Sequence, residues 1–478
     1  MNSIISIEEK ELSQDGYSSN LSSYFKSYVE HFAVYQNNVS EQGYCYMLGL
    51  ISSNKGEGNM ERIEESQKIL PYHQYQHFLT NSTWSADAVI EQVAKDASAL
   101  MQKEKEKQGY RVGLILDESG HIKQGMNSVG VARQYIGQLG KVDNCQIGVY
   151  STLVCGTRPT LIGERLFLPS CWAEDTNRCV KAGIPPKQQE HQTKPILALQ
   201  LVDEALAWNV KFDWVGGDGL YGHSYELGAG LDQRNLLFVL DVHKDQQVYL
   251  SAPIIAIPSK KAGRGRPPST YKTTSEPKRV DTYLSDLEAD DWKKITIRQT
   301  TKEDLCAWVH CKQVWVWNGL EAKARERTLI IRRTIGRDGV TVTDTKFSLS
   351  NGKLSTYSAK EFAYFQAQRY WVERNFEDAK NEVGLSDYQV RKWTGWHHHH
   401  AVVMMAMLFL LREQIDKEAD YPSMSLTDAR KIITILIEQC LFPIKNPIQT
   451  ELQNMEKRHD KRKKATQWYR KNSLFPES

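Results

Sequence analysis

The pattern of apolar and polar positions changes character along the chain. From Tyr24 to about Lys105, apolar residues recur at spacings of three and four in stretches such as SYFKSYVEHFAVY, MERIEESQKIL and SADAVIEQVAKDASALMQ, separated by Gly, Asn and Pro. That period predicts a run of helices. At Arg111 the pattern turns into short apolar or β-branched runs, and RVGLILD, CQIGVYSTLVCG and PTLIGERLFLP predict three strands in series. An amphipathic helix (LALQLVDEALAWN), a strand (FDWVGGD), a helical stretch from Tyr221 to Gln233 and a strand (LLFVLDV) come next. Strands in series and then strand-helix alternation predict an α/β fold with a mixed central sheet. After Val242 the order breaks. Residues 245 to about 285 are rich in Lys, Pro and Ser and predict an exposed loop. WKKITIRQ, LCAWVHCKQVWVWN, RTLIIRRTI and DTKFSLSN then predict antiparallel strands, and helices are expected over Ser358 to Val383 and His397 to Glu418.

At 478 residues the chain exceeds one ordinary core, and 40% hydrophobic with 25% charged residues excludes general disorder. The net charge of +3 is too small for a polycation, so binding to a polyanion has to come from local clusters. Two exist: Lys260 to Arg279 carries seven basic residues against one acid, and Lys457 to Lys471 eight against one. Eight cysteines without a CxxC pair read as reduced thiols of a cytoplasmic protein, and the N-terminal sequence lacks the pattern of a secretion signal. The longest apolar run, Ala401 to Leu411, is about half of the ~20 residues a bilayer span needs, which predicts a buried helix and no membrane association.

Three acids stand out by position. Asp117 ends the RVGLIL run and Asp218 ends FDWVGG, so both leave the carboxyl ends of predicted buried strands, the edge where α/β sheets bind ligands. Gly120, Gly216, Gly217 and Gly219 imply close backbone around both. In QAQRYWVERNFEDAKNEVG, Arg369, Glu373 and Lys380 are spaced by four and seven and share one helix face. Taken singly, each aspartate reads as a strand terminator and the Arg-Glu-Lys ladder as a solvated surface. Together they meet a chemical need. In-line displacement at a phosphodiester uses two divalent ions about 4 Å apart, held by carboxylates. Mg²⁺ prefers oxygen ligands and keeps several waters, so three acids suffice for two ions of Mg²⁺ or Mn²⁺. Arg369 and Lys380 are placed to hold phosphates beside them.

The sequence resembles the DDE insertion-sequence transposases with an RNase H-like core, most closely the insertion sequence 701 family, related to the insertion sequence four group. The resemblance covers roughly residues 24 to 420 and is strongest in SVGVARQYIGQLGKVDNCQIGV, KPILALQLVDEAL, WVGGDGLYG and FEDAKNEVGLSDYQVRKWTGWHHH. It implies that Asp117, Asp218 and Glu373 are the catalytic triad and metal ligands. It also implies that Arg369 and Lys380 belong to a Tyr-x2-Arg-x3-Glu-x6-Lys signature, in which Gln366 here replaces the tyrosine. Glu377, one turn on, is the competing glutamate. The implied activity is cleavage at transposon ends and strand transfer into target DNA by a bacterial chain paired as a homodimer. The competing readings are a retired, transposase-derived DNA-binding regulator and an endonuclease that cuts without joining.

The expected layout is a multi-domain α/β chain: a flexible arm (1–25), a helical N-terminal domain expected to bind DNA (26–108), an RNase H-like core in two parts (109–244 and 356–420) interrupted by a β-rich insertion with a basic loop (245–355), and a helical C-terminal region with a basic tail (421–478). Within the insertion, relatives can stack an aromatic on a flipped base, for which Trp308, Trp315 and Trp317 are candidates. GRGRP at Gly263 to Pro267 resembles an AT-hook core, with Arg264 and Arg266 as DNA contacts. The segment Gln74 to Trp84, with a turn at Asn81-Ser82, fits a helix-turn-helix reader or a plain helical scaffold. His397 to His400 lie within a predicted helix, which disperses consecutive side chains and prevents convergence on one ion.

Overall fold

The computed structural model describes residues 12–14, 17–34, 37–259, 266, 268–299, 304–336, 340–422, 424–441, 460 and 464. Among them, ten strands form one sheet: β1 (Gly113–Ile122), β2 (Ala132–Ile136), β3 (Lys141–Cys155), β4 (Arg158–Leu166), β5 (Trp214–Gly217), β6 (Phe238–Val242), β7 (Lys293–Gln299), β8 (Asp304–Val316), β9 (Arg325–Ile335) and β10 (Val342–Ser350). Their lateral order is β7-β8-β9-β10-β6-β5-β1-β3-β2, with β4 also paired to β3. β1, β5 and β6 run parallel at the centre. The mixed α/β architecture expected from the sequence is therefore present.

The strands of the expected β-rich insertion join the central sheet. β10 pairs with β6 from Val239↔Ser350 to Val242↔Phe347, so strands β7 to β10 prolong the central sheet. The reason is physical: β6 would otherwise expose a row of unpaired N–H and C=O groups, and the antiparallel partner satisfies them. The extension keeps a small core of its own around Val248, Val280, Val314, Ile331 and Phe347.

Helices cover the sheet and build the N-terminal side of the molecule: α1 (Leu21–Lys26), α2 (Ser40–Ser52), α3 (Met60–Gln67), α4 (Tyr72–Thr80), α5 (Ala86–Gln108), α6 (Lys194–Ala207), α7 (Tyr225–Gln233), α8 (Ala359–Gln368), α9 (Tyr370–Glu382), α10 (Trp393–Asp416) and α11 (Leu426–Leu441). Every residue of α10 from Gly395 to Leu411 is buried, as a helix that is apolar on all sides must be. The N-terminal helices wrap it. Tyr24 donates to the Met405 carbonyl at 2.9 Å and Tyr46 meets His399 Nδ1 at 2.8 Å. One continuous core joins these helices to the sheet. Packing also begins before residue 26, since Ser19, Leu21, Tyr24 and Phe25 are buried. The turn at Asn81-Ser82 does separate α4 from α5, but both helices lie against α10. Among the described residues no helix is long and apolar enough to cross a membrane.

The four histidines point four ways, as a helix requires. His397 Nδ1 meets Glu164 at 2.5 Å, and His398 lies between the carbonyls of Leu79 and Trp84. His399 meets Tyr46, while His400 Nδ1 faces the Trp396 carbonyl. They bind the helical layers together and share no ligand position.

Candidate active site

The parallel register sets the site. Leu116 lies opposite Gly217 and Gly217 opposite Leu240, so the next residues, Asp117, Asp218 and Asp241, stand side by side on β1, β5 and β6. Partners on parallel strands share a face. The face is that of α8 and α9, because Trp214, two residues before Gly216 on β5, packs on Phe365 of α8. Asp218 ends its strand and caps the turn Gly219–Gly222, its carboxylate accepting from Leu220 N at 2.9 Å. Gly222 is obligatory here: a Cβ would sit 1.8 Å from the Asp241 carbonyl oxygen.

The helix expected over Ser358 to Val383 is broken at Arg369, which closes α8 and opens α9. Ser358 and Glu361 form a reciprocal capping box at the start of α8. Val372, Phe376 and Ala379 bury the inner face of α9 and leave Glu373 at the rim, its side chain 57% exposed. Arg369, at the break, reaches over the sheet. Its Nη2 lies 2.9 Å from Glu373, its Nε 3.1 Å from Asp241 and its Nη1 3.9 Å from Asp117. Lys380 sits farther along, donating to the Gly120 carbonyl at 3.1 Å, and burial lowers its ammonium to a pKa of about 8. Glu377 faces elsewhere and pairs with Arg374 at 3.2 Å.

Asp117 stands in the middle of β1, which continues to Ile122, and not at a strand end as expected; Asp241 is a third acid in the same row that sequence reasoning did not single out. The signal is present, since FVLDV sets an aspartate directly after a short apolar run, as FDWVGGD does. It is held by Ser348, whose hydroxyl donates at 2.6 Å, and Gln366, at the signature's tyrosine position, donates to that hydroxyl at 2.6 Å.

The electrostatics are those of crowded carboxylates. Burial, then the neighbouring Asp218 and Glu118, lift the Asp117 carboxyl well above its usual range, against the pull of Arg369. Burial lifts Asp241 too, opposed by Arg369 and Ser348. Arg369 stays charged: burial works against its cation, but Asp241, Asp117 and Glu373 outweigh it. A hard divalent ion suits this donor set of oxygens on one sheet edge short of positive charge. Among the described residues no three acids, histidines or cysteines already converge tightly enough to hold one. Glu373 is engaged by Arg369 and would have to exchange that partner for an ion.

A cleft of about 850 Å³ opens beside Asp218, Asp241 and Arg369, lined further by His243, Lys244, Arg279 and Lys346. Its lining mixes these cations with two further acids, Asp245 and Asp281, the second paired with Arg279 at 2.6 Å. The three tryptophans do not line it. Trp308 lies half-buried with Lys294 5.9 Å over its ring, Trp315 bridges Tyr249 through the backbone, and Trp317 donates to the Glu321 carbonyl at 2.7 Å. Alternation along β8 sends Trp308 and Trp315 to opposite faces, so they cannot serve one base together. Arg264 and most of the GRGRP segment lie outside the described residues, as does the basic tail apart from Asp460 and Lys464; Arg266 is described and exposed.

Known proteins share this chain's sequence over long spans. The model of the DDE superfamily endonuclease family matches residues 34–304, more than half of the chain. That span includes Asp117, Asp218 and Asp241 and stops before the helix of Glu373. A protein of Microchaete diplosiphon described as "Probable transposase for insertion sequence element IS701" is 26% identical over 317 residues, 66% of this chain and 67% of that protein. Among solved structures, a piggyBac transposase synaptic complex with hairpin DNA covers 91% of this chain and 80% of its own, at 9% identity and a TM-score of 0.39. With three aspartates side by side on the central parallel strands inside the matched span, the chain belongs to the DDE superfamily endonuclease family.

Proposed function

We propose that the protein is an insertion-sequence transposase of the insertion sequence 701 type with an RNase H-like core, which cuts DNA at the ends of its element and joins them to a target. The observation that carries this is the in-register placement of Asp117 and Asp218 beneath a helix break that presents Arg369 and Glu373. Asp117, Asp218 and Glu373 are the residues that would hold two Mg²⁺ or Mn²⁺ ions. Such ions, when bound, lower the pKa of the attacking hydroxyl or water and stabilise the leaving oxygen. Arg369 and Lys380 carry the positive charge that positions the scissile phosphate, and Lys244, Arg279 and Lys346 guide the backbone through the cleft. Pairing two ends calls for two copies of the chain.

The test is cleavage of a duplex bearing the element's terminal sequence. Cleavage should require Mg²⁺ or Mn²⁺, cease with a chelator, and be lost in Asp117→Asn, Asp218→Asn and Glu373→Gln while end binding survives. Full cleavage in metal-free buffer would end this reading.

A further inference from the structure

Arg369 holds three carboxylates at once, and they are not equivalent. Glu373 is at the rim on a longer side chain, and Asp117 is only within ion-pair reach at 3.9 Å. Asp241 is different. It lies 3.1 Å from Arg369 Nε and is fixed from behind by Ser348, itself fixed by Gln366. A carboxylate supported by such a chain of donors keeps its place when its neighbours change partners. It also stands on β6, on the far side of β5 from Asp117, so it draws the guanidinium away from the Asp117 side of the site.

We propose that Asp241 is a positioning residue for Arg369. It anchors the guanidinium on the β6 side of the acids and so leaves Asp117, 3.9 Å away, open to a divalent cation. A guanidinium is a permanent cation with a planar fork suited to carboxylates, and it competes for the oxygens a metal needs. Without Asp241 the guanidinium keeps Glu373 and closes the remaining distance to Asp117. This role rests on Asp117 and Glu373 being metal ligands, as the proposed function has them.

The experiment is a Mn²⁺ titration of the full chain by calorimetry without DNA, with melting temperatures recorded alongside. Asp241→Asn preserves the shape that Ser348 grips. It should weaken Mn²⁺ about tenfold, the scale on which an adjacent opposite charge biases a carboxylate. Arg369→Gln should not weaken it, and the double variant should bind as Arg369→Gln does. Ser348→Ala, which loosens Asp241 without removing its charge, should give a smaller loss of the same sign and serves if Asp241→Asn does not fold. Unchanged Mn²⁺ affinity in the folded Asp241→Asn protein overturns the proposal. So does a loss that persists in the double variant, since Asp241 would then be a ligand itself. The control is Asp117→Asn: if wild-type affinity survives it, the metal assignment has failed instead of the role of Asp241.

Discussion

Asp117 and Glu118 are neighbours on β1, yet alternation sends them to opposite faces of the sheet and into opposite surroundings. On the α6 face Glu118 receives Lys194 Nζ at 2.8 Å on one oxygen and the Tyr221 hydroxyl at 2.8 Å on the other. On the α8 and α9 face Asp117 is crowded by Asp218, and its only ion-pair partner among the described residues is Arg369 at 3.9 Å. The same chemistry is thus spent in two ways. A carboxylate matched oxygen by oxygen is part of the scaffold; one left short of cations, beside others in the same state, is held ready for a ligand.

The hardest test of that contrast is cleavage by Asp117→Asn, which should fall by about three orders of magnitude or more. A variant of Glu118 as damaging in its folded fraction would erase the distinction. Glu118→Ala should act on stability instead. It strands Lys194 and Tyr221 in a partly buried setting, and a loss of about 2 kcal/mol in urea unfolding is expected.

The third test is the pH dependence of the metal-free fold. Because the Asp117 carboxyl is lifted in the folded state, the native protein binds that proton more tightly than the unfolded chain does. Its contribution therefore favours folding at acid pH and is lost as pH rises from the ordinary aspartate range through the lifted native value. Melting curves in chelator should show Asp117→Asn gaining on wild type as pH increases, by a few degrees at neutrality. A constant difference would mean that the crowding is already neutralised. The smallest effect belongs to Glu377→Gln. Its pair with Arg374 is exposed, so stability should shift by about 0.5 kcal/mol or less and cleavage should persist. A dead Glu377→Gln beside an active Glu373→Gln would move the glutamate by one helical turn.

Asp117 and Asp218 are legible in the sequence because each ends an apolar run, and Glu373 because helical spacing aligns it with Arg369. Asp241 carries the same local mark without standing out, since only the lateral order of strands puts it beside the other two, and that order is a tertiary fact. The strands β7 to β10 are likewise legible one by one, while their attachment to β6 is not: a period of two tells which face is buried but names no neighbour. The N-terminal helices look separable for a related reason. Amphipathic spacing shows that a face seeks cover without showing that α10, encoded hundreds of residues later, provides it.

That wrapping of α10 bears on how the protein is made. Tyr46 finds His399 only across 353 residues of chain, and Tyr24 finds Met405 across 381. At about 5–20 residues per second, a ribosome needs about 20 to 75 s to travel from one partner to the other. For that interval α1 to α5 exist without the helix they close upon, their apolar faces open to water. Apolar faces open for that long invite holding factors, and a chain truncated before α10 is expected to be lost to proteolysis, which a pulse-chase of such a truncation would check.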